Sequence, residues 1–158
     1  MDNLKKILEV LNDLIRINRD REAGYNKVSR ELTPAEHNLR SAFERKAHES
    51  RNNMVQLQTI VGDLQHLLPT EKELEQPANN VSGKIYKMWE EVKDFFSGKG
   101  NSAVLRFCVD RDAKATFCYE NALHETTLPE NISSVLNQHR VCLANGQKEL
   151  KSLLEAGQ

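Results

Sequence analysis

Leu11-Asn-Asp-Leu-Ile-Arg-Ile-Asn-Arg-Asp-Arg-Glu-Ala-Gly-Tyr25 decides how this chain must fold. Around it, Leu4, Leu8, Leu11, Ile15, Asn18, Glu22, Tyr25 and Ser29 follow one another in alternating steps of four and three. That spacing keeps them on one side of a helix, so they form a seam packed against other helices. Ile7, Leu14 and Val28 widen the seam. Asn18 and Glu22 interrupt it with polar groups, and Cys108 and Asp112 interrupt a later seam in the same way.

The rest of the chain repeats this design. Helix 1 is expected from about Asp2 to Leu32, with Asp2 or Asn3 able to accept its free first-turn N–H groups. Thr33-Pro-Ala-Glu36 reads as a capping box with Pro34 at the first helical position, where a missing N–H is harmless. Helix 2 then runs from Pro34 to about Leu67, along Leu39, Phe43, Ala47, Ser50, Met54, Leu57, Val61 and Leu64. After Pro69 comes a polar connection. A shorter helix follows from about Val81 to Phe96, whose Trp89 and two phenylalanines require it to dock. Helix 3 is expected from about Ser102 to Glu125, capped by Asn101, along Leu105, Cys108, Asp112, Ala115, Tyr119 and Ala122. Pro129 falls in the first turn of helix 4, which continues to about Leu154 through Ile132, Leu136, His139, Cys142, Leu143, Gly146 and Leu150.

Short links make helices 1 and 2, and helices 3 and 4, antiparallel hairpins. The hairpins are separated by about thirty residues, enough to cross a bundle end to end, which allows helices 2 and 3 to run parallel. The expected fold is all-α: one domain over 1–158, a ferritin-like four-helix bundle with a short fifth crossover helix between helices 2 and 3.

Composition narrows the function classes. The formal net charge is -1 and no basic run stands apart from acidic neighbours, which disfavours nucleic-acid binding. No apolar run approaches a membrane span, and the N-terminal residues lack an apolar leader, so no membrane role is expected. Cys108, Cys118 and Cys142 are odd in number and form no CxxC pair, which reads as reduced thiols in a cytoplasmic protein.

Leu11-Asn-Asp-Leu-Ile15 with Asn18, Asp20-Arg21 and Gly24-Tyr25 resembles the opening motif of an uncharacterised bacterial family. Val81-Ser-Gly83 with Trp89, and Tyr119-Glu-Asn-Ala-Leu123, are similar to it too. The resemblance extends over nearly the whole chain. It implies a small cytoplasmic ferritin-like bundle, often linked to stress, with no established activity.

Ferritin-like folds raise the question of iron or manganese. Di-metal members take one Glu from the first helix of each hairpin and a Glu-x-x-His from the second. Here helix 2 offers Glu49-Ser-Arg-Asn52, with Asn where His would stand, and helix 4 offers Gln138-His139 instead. The residues available to a metal are Glu22, Glu49, Asp112 and His139. Counting from each turn sets Asn18 level with Glu49, Glu22 near Arg45 or Lys46, Asp112 near Cys142 and His139 near Ala115. A mismatch of three residues displaces a ligand by about 5 Å, so these four do not make a competent shell. The favoured expectation is therefore no cofactor. Glu22 becomes a core carboxylate satisfied by Arg45, Lys46 or Tyr119. Asn18 sets register, His139 is a satisfied core imidazole, and Cys108 and Cys142 pack inertly.

The function expected is a non-catalytic bundle with a stress-associated or assembly role. A metal-binding or weak oxidase protein is the alternative, and a helical adaptor engaging a protein partner through Trp89 is the third. A homodimer paired through a helical face is compatible with all three.

Overall fold

The computed structural model describes residues 2–32, 36–67 and 101–156. Within them are four long helices and no strand: α1 (Asp2–Glu31), α2 (His37–Gln65), α3 (Asn101–Glu125) and α4 (Glu130–Ala156). The helix expected around Trp89 lies outside the described residues, as do Thr33, Pro34 and Ala35 of the capping box. α2 begins at His37 rather than Pro34, and Glu36 at its N-cap makes no side-chain capping bond. Pro129 stands just before α4, where its carbonyl accepts the N–H groups of Ile132 and Ser133. A proline serves well there, because only its carbonyl is needed.

α1 packs along α2, and α3 along α4; α1 also meets α3, and α2 meets α4. The contacts set the directions. Asn3 reaches the Thr127 carbonyl, Asn18 reaches Tyr119 and Arg21 reaches Asp112, so α1 and α3 are antiparallel. Lys46 pairs with Glu149 and Gln56 with His139, so α2 and α4 are antiparallel too. Arg40 reaches the Leu32 carbonyl and Arg51 pairs with Glu22, so α1 and α2 are antiparallel as well. α2 and α3 therefore run in the same direction, and α2 ends at the opposite end of the bundle from the start of α3.

The apolar stripes behave as their spacing requires. Leu8, Leu11, Phe43, Leu57, Tyr119 and Leu136 are fully buried, and the Tyr25 and Phe43 rings pack with centroids 5.6 Å apart. His37, His48, His66, His124 and Glu120, all off the stripes, are exposed. The first hairpin is clamped where the chain turns: Arg40 on α2 donates to the Leu32 carbonyl, satisfying an acceptor left free past the end of α1. No helix among the described residues is long and apolar enough to cross a membrane.

Gly62 lies inside α2, and a Cβ added there meets nothing within 4 Å. Glycine in a helix interior costs roughly 0.5–1 kcal/mol relative to alanine. Gly62→Ala should therefore raise stability by about that amount, read as a higher urea midpoint at unchanged slope. A loss of stability would show that α2 is not a continuous helix at this point.

Candidate functional site

The polar residues that interrupt the stripes meet in one buried layer. Arg21, on α1, and Asp112, on α3, are 1 % and 0 % exposed. Their contact is bidentate: Arg21 Nε donates to Asp112 Oδ1 at 2.9 Å and Nη2 to Oδ2 at 3.0 Å. The Tyr25 hydroxyl donates to the same Oδ2 at 2.7 Å. Arg21 Nη1 donates to Ser50 Oγ and to the Lys46 carbonyl, so this one side chain ties α1 to both α2 and α3. The guanidinium thereby spends about four of its five donors in a fork that suits a carboxylate. Burial works against the Arg21 charge, yet the Asp112 carboxylate beside it wins and raises the pKa. Burial and the same carboxylate push the Tyr25 phenol and the Cys108 thiol well above their ordinary ranges, so both stay protonated.

A second network lies farther from the first turn. Asn18 Nδ2 donates to the Tyr119 hydroxyl at 2.8 Å, and that hydroxyl lies 2.9 Å from His139 Nδ1. His139 Nε2 lies 2.7 Å from Gln56 Oε1. With Gln56 accepting, Nε2 carries the proton and Nδ1 accepts from Tyr119. All four helices then join one chain of donors around a neutral imidazole. Burial alone lowers His139 to about 4, which keeps it in that form. Burial also raises the Tyr119 pKa, although Asn18 donates to its oxygen.

Of the four metal candidates, Asp112 and His139 are deep in the layer, but both carboxylate oxygens and both ring nitrogens already have protein partners. Glu22 is instead turned to Arg51 at 3.5 Å on the partly exposed rim. This corrects the expectation of Arg45, Lys46 or Tyr119 as its partner. Counting from the turn compares backbone heights, but each side chain leans toward the N-terminus of its own helix. In an antiparallel hairpin the two leans oppose, so a residue on the first helix meets a partner farther from the turn than the count implies, and a residue on the second helix meets one nearer the turn. Tyr119 meeting His139, rather than Ala115 standing level with it, is the same effect in the second hairpin. Glu49 keeps one buried oxygen, Oε2, without a hydrogen-bond partner. Among the described residues, no group of three or more His, Cys, Asp or Glu side chains is placed to hold a metal ion. The donor set does not fit a di-metal centre, because the cation at the centre of this layer is Arg21.

Arg21 and Lys46 are the buried residues of the site that the apolar stripes leave out. The signal was present. Ile7, Leu14, Arg21 and Val28 recur every seven residues, and Leu39, Phe43, Lys46, Ser50, Asn53 and Leu57 alternate steps of four and three. All of these side chains are buried. A pattern search that scores only apolar residues skips the two cations.

Residues 6–125, which span nearly all of α1 and the whole of α2 and α3, match a family described as a domain of unknown function (DUF2383). The chain belongs to that family. The matched span contains Arg21, Tyr25, Ser50, Asp112 and Tyr119, and ends before His139 and Glu149. No curated protein matches the chain significantly.

Proposed function

We propose that this protein is a non-catalytic bundle of the ferritin-like kind, in which a polar layer made only of protein groups holds two helical hairpins in register. The observation that carries this reading is the Arg21–Asp112 fork, with Tyr25 closing it. A buried carboxylate with both oxygens taken by a guanidinium and a phenol offers no position to a substrate or metal. Its geometry rewards one alignment of α1 against α3 and penalises slippage, which is the best-attested use of buried polar groups in helical bundles. The parallel run of α2 and α3 supports the ferritin-like assignment. A cytoplasmic location and a stress-associated role in a bacterium rest on the family resemblance, and a homodimer on the habit of such bundles to pair through a helical face.

Metal analysis of protein purified without chelator tests this reading. Iron and manganese are expected far below one equivalent. Stoichiometric metal that disappears in Asp112→Asn would overturn it in favour of a ferritin-like metal protein.

A further inference from the structure

Beside the sealed layer, α2 and α4 part to leave an open cleft of about 420 Å³. It is lined by Arg45, Lys46 and Glu49 from α2, and by Cys142, Gly146 and Glu149 from α4, among others. The volume falls within the range of about 300–1,000 Å³ typical of small-molecule sites. Structural packing does not account for how its charged groups are left.

Lys46 is the first of them. Its side chain is only 2 % exposed, yet its ammonium is given one side-chain acceptor, Glu149 Oε1. An ammonium has three protons to donate, and a buried cation left short of acceptors is costly. Gly146 makes room for it: a Cβ there would lie 3.6 Å from Lys46 Cε and Nζ. Glu149 is shared, because Arg45 also pairs with it at 3.2 Å. Two cations to one carboxylate leave this end of the cleft net positive.

Glu49 is the second. Its Oε2 is buried and has no partner in the protein. Arg21, one of the cations near it, is already committed to Asp112. Cys142 stands beside Glu49 but brings no charge, and burial and that carboxylate together keep the thiol protonated. Glu49 therefore brings a carboxylate with a spare acceptor to this side of the cleft. Lys46 and Glu49 are one helical turn apart on α2, about 5 Å along the axis.

We infer that this cleft is a binding site for a small zwitterion, a free amino acid whose carboxylate is held by Lys46 and Arg45 and whose ammonium is held by Glu49. A spare donor and a spare acceptor about one turn apart call for a ligand with both charges separated by a few atoms. A lone anion would leave Glu49 Oε2 unsatisfied, and a lone amine would leave Lys46 short. The site goes beyond the register role proposed above: it gives the bundle a metabolite to respond to, and it stands whether or not the polar layer binds metal.

Cys142 supplies the readout, because it lines the cleft and a bound ligand would cover it. Alkylation of Cys142 by iodoacetamide would be followed by mass spectrometry in the full-length protein. The probes are the proteinogenic L-amino acids, with acetate and ethylammonium at matched ionic strength as the two half-ligands. At about ten times its Kd, a bound amino acid slows labelling about ten-fold and raises the melting temperature, since only the folded state binds. Acetate and ethylammonium do neither. Glu49→Gln, which keeps the side-chain shape, abolishes protection while its own melting temperature and helical circular dichroism show that it folds. The inference is overturned if no amino acid protects Cys142 at millimolar concentration. It is equally overturned if acetate protects as well as any amino acid, or if protection survives in Glu49→Gln.

Discussion

Arg21→Met should cost about 3–5 kcal/mol, because it strands the Asp112 carboxylate in the core without its cation. In a domain of this size each kcal/mol moves the melting temperature by about 2–4 °C, so a drop on the order of 10 °C is expected. Asp112→Leu should cost a similar amount for the converse reason: it strands a guanidinium. The double variant decides between a structural and an incidental pair. Two apolar side chains in place of a buried ion pair are often neutral, so Arg21→Met/Asp112→Leu should be more stable than either single variant. Some loss should remain, because the Tyr25–Asp112 and Arg21–Ser50 hydrogen bonds are lost as well. Urea denaturation of all four proteins gives the coupling. If the two losses simply add, the fork does not hold the layer together.

Acidification should weaken the fold through His139. In the folded protein this imidazole is lowered from 6.5 to about 4 by burial. Between those values the unfolded chain binds a proton that the folded chain refuses. Stability therefore falls as pH drops through this window, and is complete above about 6.5. The whole window is worth about 3 kcal/mol for a shift of this size. The network accounts for the refusal, since a proton on Nδ1 would face the Tyr119 hydroxyl and force it to surrender its acceptor. Glu149 acts in the same direction at lower pH. Burial raises it, but Lys46 and Arg45 outweigh that and hold it below the ordinary carboxylate range, so its contribution is lost as it protonates. His139→Gln separates the two. Near neutrality the variant should be less stable than wild type, and the gap should close as pH falls toward 4. A gap that stays constant with pH would mean that His139 is not held neutral by the fold.

Several features of the site are legible in the sequence. Asn18, Asp112 and His139 stand at seam positions, and all three are buried and hydrogen-bonded. Glu22 stands in the same seam but ends on the rim, because its salt-bridge partner Arg51 lies more than half exposed. Arg21 was harder to see. Its position repeats the spacing of Ile7, Leu14 and Val28, but a cation at such a position is ordinarily assigned to solvent. Only a carboxylate on another helix makes its burial affordable, and no local pattern shows that carboxylate. Lys46 was hidden in the same way, behind an apolar stripe that could be drawn one residue over through Ala47.

The sequence by itself determined, to within a few residues, where the four described helices run, which apolar faces turn inward and that each short link makes a hairpin. These follow from a periodicity of about 3.6 residues and from chemistry within a few neighbours along the chain. The tertiary structure alone decided who meets whom across the bundle: Arg21 with Asp112, Glu22 with Arg51, Tyr119 with His139, and the cleft beside Lys46. Those pairings turn on shifts of a few ångströms between helices and on the lean of each side chain toward its own N-terminus. A hydrogen bond is lost over such a distance, and nothing local to any one helix records it.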